Sequence, residues 1–194
     1  MKTTYANNNG IIDFEAVFIR LNEELSRSGQ SLKLVCAGGY VMQRYGYKTT
    51  TDVGAFFKSN TIIETIIRKI GDEFGINKPD ELWLNNSIAN MNPEPPAQFC
   101  ELAYKFSNLE VHTVIITYII GMKLVSGREQ DLTDVGDILK FDDKAQPLEL
   151  MSELAGMKFD IDISSLLDAF ERARGIDWLD GFYVKNQDEL LKYF

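Results

Sequence analysis

The chain has 194 residues, 45% of them hydrophobic and 25% charged, a globular composition that excludes wholesale disorder. Residues 1–128 carry 13 basic and 13 acidic side chains, while residues 129–194 carry 7 and 16, so the formal charge of −9 falls in the last third. That third would repel nucleic acid and anionic membranes, whereas a site that handles phosphate, or even a nucleic-acid acceptor, stays open to the first two thirds. In chain order, Ile11–Ser28 reads as a helix, with Phe14, Val17, Phe18, Leu21 and Leu25 on one stripe and Gly29 at its end. Leu32–Ala37 is a short apolar run, expected as a buried strand, closed by Gly38-Gly39. Tyr40–Tyr45 follows as a short helix, and Lys48–Phe57 alternates as a strand does. Thr61 and Glu64 have capping-box spacing and open a helix that carries Ile62, Ile63, Ile66, Ile67, Ile70 and Phe74 on one side and ends at Gly75.

Glu81–Leu84, Ala103–Phe106 and Leu109–His112 read as strands, with a Pro-rich loop over Asn92–Pro96. Val114–Val125 reads as a buried helix, then Gln130–Leu139, Leu148–Leu154, Ser164–Arg174 and Gln187–Tyr193 as further helices. The order implies α+β with a helical tail. Val114–Val125 is too short to span ~30 Å of hydrocarbon, and the polar opening Met1–Gly10 lacks the apolar core of a signal peptide. Cys36 and Cys100 each sit in an apolar run and make no disulfide framework. The expectation is a cytoplasmic protein without membrane contact.

The segment from Leu34 to Phe57 is strand, diglycine turn, helix, strand. Diglycine lets a backbone approach a ligand closely, and amides at the following helix start suit a phosphate; a tight turn without any ligand is the other reading. The segment resembles the nucleotidyltransferase superfamily with the polymerase-beta-like fold. Gly38 and Gly39 match that family's turn, Lys48 a common basic position, and Thr50 and Asp52 the threonine and first carboxylate of its Thr-x-Asp-x-Asp strand. Lys123, Arg128, Asp131 and Asp134 resemble a second motif, a lysine in an apolar helix followed by Arg-x-x-Asp-x-x-Asp, found in bacterial abortive-infection-toxin-like relatives and related uncharacterised domains. The two motifs span Leu34–Leu139.

One departure from the family stands out. Residues two apart on a strand share a face, and a two-metal phosphoryl-transfer site needs two carboxylates on one face. The partner position to Asp52 is Gly54. Asp52 alone would hold at most one weakly bound Mg²⁺, and Glu110 on a later strand is the candidate further metal ligand. The alternative for Asp52 is a strand-end carboxylate hydrogen-bonded to local amides.

Lys123 and Asp131 stand out without any family. On a helix turning ~100° per residue, Val135 lies near ~40° from Asp131 and Leu139 near ~80°, so Asp131 falls inside the apolar stripe, with Asp134 at its edge near ~300°. Lys123 is embedded among Ile119, Ile120, Met122, Leu124 and Val125. Charges on apolar faces are costly unless paired, so a Lys123–Asp131 ion pair is expected. It would serve either as a bridge locking a helix hairpin or to bring Lys123 to nucleotide phosphates. His112, the one histidine, reads as structural. Asn85-Asn86 reads as a turn or as a polar wall near Asp52, and Phe170, Trp178, Phe182 and Tyr183 as core or partner surface.

The expected organisation is a nucleotidyltransferase-like α+β core over 1–112 and a helical region over 113–194, packed on it or continuous with it. The resemblance implies a nucleotidyltransferase that uses an NTP and Mg²⁺, with Asp52, Lys123 and Asp131 catalytic, Gly38, Gly39, Lys48 and Thr50 binding the nucleotide, and Asp52 and Glu110 binding metal. The alternative is a catalytically degenerate relative that binds a nucleotide, an antitoxin-like protein or a second copy of itself.

Overall fold

A computed structural model describes residues 11–90 and 92–193; the polar opening segment lies outside them. The architecture is α+β. The chain divides between Ile116 and Thr117 into two compact units.

The first unit is built on a five-stranded mixed sheet in the order β3-β2-β1-β5-β4. The strands are β1 (Leu32–Ala37), β2 (Val53–Phe56), β3 (Leu84–Asn85), β4 (Cys100–Lys105) and β5 (Leu109–Val114). β1 runs parallel to β5 and antiparallel to β2; β3 is parallel to β2, and β4 is antiparallel to β5. Three helices complete the unit: α1 (Phe14–Arg27), the short α2 (Gly39–Arg44) and α3 (Thr61–Phe74). Leu32, Leu34, Cys36, Val53, Ala55, Leu109, Val111 and Thr113 are buried along one face of the sheet. An aromatic cluster ties the helices to the sheet. Phe18 meets Tyr40 at 5.6 Å, Trp83 at 6.0 Å and Tyr104 at 6.0 Å between ring centroids. Trp83, fully buried, donates its indole N–H to the Ile67 carbonyl at 2.9 Å, which satisfies its one polar atom.

The apolar stripe of α1 forms as read, and that of α3 forms at Ile63, Ile66, Ile67 and Ile70, whereas Ile62 is exposed and Phe74 half-buried; Asn60 rather than Thr61 caps α3. Its side chain accepts the Ile63 N–H at 2.9 Å, a role asparagine fills better than threonine. β2 is shorter than the run Lys48–Phe57. Ahead of Val53 the backbone turns to side-chain partners, with the Thr50 N–H donating to Gln43 at 2.8 Å, so the β propensity of the threonine run is overridden. β3 keeps only two residues, because Lys78 and Glu81 bridge each other in a turn before it. Cys36 is buried, while Cys100 is half-buried on an edge strand; burial pushes both thiols up.

The second unit holds most of α4 (Ile116–Ser126), then α5 (Glu129–Phe141), α6 (Pro147–Gly156), α7 (Ile163–Arg174) and α8 (Ile176–Leu190). α7 packs against α5, α6 and α8. Gly121 lets the Phe159 ring lie against α4, where a Cβ would stand 2.4 Å from ring carbon Cδ2. α8 is far longer than the Gln187–Tyr193 helix expected. Its indole Trp178 stacks between Phe170 at 5.5 Å and Phe182 at 5.6 Å, with the Arg174 guanidinium over it at 4.6 Å. Phe170 and Phe182 are core, and Tyr183 is exposed. No helix among the described residues is long and apolar enough to cross a membrane.

Candidate functional site

β1 delivers Gly38 and Gly39 at its end. Gly38 takes φ 67° and caps α2, a conformation that favours glycine. Gly39 is small for another reason: a Cβ there would stand 3.0 Å from Thr50 Oγ1 and 3.2 Å from Thr50 Cβ, with Lys48 Cε at 3.7 Å. The close approach that glycine permits is therefore filled by the chain's own Thr50 loop. Gln43 of α2 fixes that loop, donating to the Ile12 carbonyl at 3.1 Å while accepting the Thr50 N–H. The Thr50 hydroxyl donates to Asp52 Oδ1 at 3.1 Å. Gly38, Gly39, Lys48, Thr50 and Asp52 are thus brought together at one end of β1 and β2.

Asp52 has a neighbour that sequence reading missed. The Lys78 ammonium stands 3.7 Å from its Oδ1 and 3.0 Å from Glu81 Oε2. Glu81 first and Asp52 second raise the Lys78 pKa, so it stays a cation. Lys78 lies far from Asp52 along the chain and no local pattern links them.

The register stacks side chains into rows across the half-open face of the sheet. One row runs Asn85, Gly54, Ala37, Val114, Cys100, taking Ala37 and Val114 one pair past Cys36 and Thr113. It holds no carboxylate. A second row runs Phe56, Val35, His112, Leu102. Glu110 belongs to a third row, opposite Lys33 and Lys105. It is four residues along β1 from the Gly54 row, about 13 Å at ~3.3 Å per residue, and Asp52 lies further still. Its oxygens face Lys105 at 3.0 Å and His112 at 3.6 Å. Glu110 and Asp52 therefore share no metal ion, which corrects the expected ligand pair: adjacency in the sheet does not bring residues at opposite strand ends together. Among the described residues no three His, Cys, Asp or Glu side chains cluster as metal ligands. Asp52 and Glu81, the two carboxylates here, are bridged by the Lys78 ammonium, and no third His, Cys, Asp or Glu joins them, a poor donor set for Mg²⁺.

Lys123 and Asp131 form a cluster of their own in the second unit. Lys123 Nζ donates to Asp131 Oδ1 at 2.8 Å and to Asp134 Oδ2 at 2.6 Å. Arg128 Nε donates to Asp131 Oδ2 at 2.6 Å, and Gln130 Nε2 to Asp134 Oδ1 at 3.1 Å. The side chains of Lys123, Asp131 and Asp134 are 11%, 3% and 3% exposed. Burial pulls the Asp131 pKa up, but Arg128 and Lys123 outweigh it and hold the carboxyl below its ordinary range. The ammonium is committed to two carboxylates, so the geometry favours the locking bridge between α4 and α5. Asp134 is a full member of it.

A second missed network surrounds Glu24, buried on α1. Lys69 donates to it at 2.8 Å, Arg20 lies 2.7 Å away and Arg27 also binds it, which together bring its pKa down to about 2. Its signal was in the sequence, since position 24 continues the stripe of Val17 and Leu21.

Comparison with protein-family models, curated proteins and solved structures returned no match for this chain.

Proposed function

We propose that the chain is an interaction module on a nucleotidyltransferase-type sheet, without nucleotidyl transfer of its own. The observation that carries this reading is the row beside Asp52: Gly54, Ala37 and Val114 offer no second carboxylate, and Lys78 takes the place beside Asp52 that a cation would need. Phosphoryl transfer relies on positioning and metal electrostatics, and a half-exposed aspartate that shares the Lys78 ammonium with Glu81 supplies little of either. The tight-turn reading also accounts for both glycines, Gly38 by its backbone angle and Gly39 by Thr50. An NTP held without turnover, an antitoxin-like protein and a second copy are the partners that the family resemblance suggests for such a module.

Two experiments on the full chain test this. Incubation with α-labelled NTPs and Mg²⁺ or Mn²⁺ should transfer no label to protein, nucleotide or nucleic acid. Calorimetric titration should show no saturable divalent binding by the wild type and measurable binding by Gly54→Asp, whose new side chain has room, since a Cβ there meets only the Ala37 carbonyl at 4.0 Å. Label transfer by the wild type would overturn the reading.

A further inference from the structure

A groove of about 570 Å³ opens in the first unit at the opposite end of β1 from Asp52. Its lining includes Val35, Phe56, Phe57, Lys33, Lys58 and Glu94. The floor is apolar, because Val35 and Phe56 are a cross-strand pair on the half-open face. Lys33, two residues before Val35, and Lys58, two residues after Phe56, both line the groove. Two ammonium groups lining one groove repel each other unless a counter-ion joins them. Glu110, the cross-strand neighbour of Lys33 on β5, is turned to Lys105 and His112 instead. Glu94 is the one carboxylate in the lining, and neither lysine makes an ion pair or hydrogen bond among the described residues. Two ammonium groups lining an apolar groove match a dianion attached to an apolar body.

We propose that this groove binds a small molecule that joins an apolar, flat or short-chain body to a single phosphate monoester. A phosphate monoester carries close to two negative charges at neutral pH, equal to the two lysines. Glu94 disfavours a longer polyphosphate by adding a negative charge to the same rim. The volume lies within the ~300–1,000 Å³ range of small-molecule sites, and an apolar lining with a few convergent polar groups is their usual composition. Val35 and Phe56 take the body; Lys33 and Lys58 take the phosphate. This site is separate from the diglycine end, and the proposal stands whether or not the chain transfers nucleotides.

The test is a titration of the ¹⁵N-labelled full chain with 1-naphthyl phosphate, read by amide chemical shifts. Saturable shifts are expected in residues 31–35, 56–58, 86–90, 92 and 94. Inorganic phosphate and 1-naphthol, each carrying half of the chemistry, should bind more weakly by about tenfold or more. Lys33→Gln and Lys58→Gln should each weaken 1-naphthyl phosphate by about tenfold, while raised salt weakens the wild type and not the double variant. Lys58 lies outside the strands, so Lys58→Gln reads the site even if Lys33→Gln disturbs β1. Equal affinity for 1-naphthol and 1-naphthyl phosphate, shifts centred elsewhere, unchanged binding by Lys58→Gln, or no saturable shift at millimolar probe would each overturn the proposal.

Discussion

Asp52 keeps about a third of its side chain in solvent and leans on one threonine hydroxyl and an exposed lysine, whereas Asp131 keeps 3% and is held by Lys123 and Arg128 at 2.8 and 2.6 Å. Both are carboxylates of a family-like motif, yet the chain treats them differently. In water a carboxylate is already solvated, so a partner adds little and its absence costs little. In an apolar interior the same group is tolerable only when neutralised and hydrogen-bonded, so four further side chains are committed around Asp131. Burial, rather than motif membership, tells which aspartate the fold depends on.

The largest expected effect is at the buried cluster. Lys123→Met leaves two carboxylates buried with Arg128 as their remaining cation, and breaking a buried pair typically costs ~3–5 kcal/mol. That is a large share of a domain's stability of roughly 5–15 kcal/mol. Because Asp134 also binds Lys123, the double variant Lys123→Met/Asp131→Leu should recover only part of the loss. Adding Asp134→Leu should recover more. Denaturant melts of the whole series measure the coupling; small additive losses would mean that the cluster is not a lock.

Glu24 sits between the two extremes, buried like Asp131 but ringed by cations of which Lys69 and Arg27 reach water freely and Arg20 less so. Glu24→Gln should cost about 1–2 kcal/mol, less than Lys123→Met, because Lys69 and Arg27 regain water. Its pH behaviour follows from a folded pKa near 2 against an ordinary 4.5. The unfolded state binds the proton first on acidification. The stabilisation is complete above about 4.5, falls as pH drops from 4.5 toward 2, and is gone below that. Acid melts of wild type and Glu24→Gln should therefore differ near neutrality and converge at the acid end. Parallel curves throughout would show that the network carries no such linkage.

The same physics explains what was legible beforehand. The stripes of α1 and α3, the buried β1 and the placement of Asp131 on an apolar helix face are periodic, and periodicity is written locally. Lys78 beside Asp52 and Glu110 far from it depend on strand order and register, which the sequence does not spell out. α8 was under-read because its apolar residues spread over both faces: Leu179 and Phe182 are buried while Ile176, Tyr183 and Val184 are exposed, and Asn186 interrupts its helical backbone. The threonine run before Val53 shows the opposite failure, a strong strand propensity overridden by Gln43 and Thr50 hydrogen bonds.

The smallest effect is the sharpest use of the comparison. Asp52→Asn and Asp131→Asn make the same chemical change, removing one charge and keeping the shape. At Asp131 the amide places an NH₂ against Lys123 or Arg128 and leaves a buried cation with fewer acceptors, so a loss of several kcal/mol is expected. At Asp52 the amide can still accept from the Thr50 hydroxyl, and Lys78 keeps Glu81 at 3.0 Å. The expected loss there is below about 1 kcal/mol, the range of exposed ion pairs. Added salt should shrink the Asp52 effect and leave the Asp131 effect nearly unchanged, since water and ions reach only the first. Thermal melts of both variants at low and high salt measure this. A large, salt-insensitive loss at Asp52→Asn would show that the diglycine end depends on that charge as the helical cluster depends on its own, and the contrast between the two carboxylates would fail.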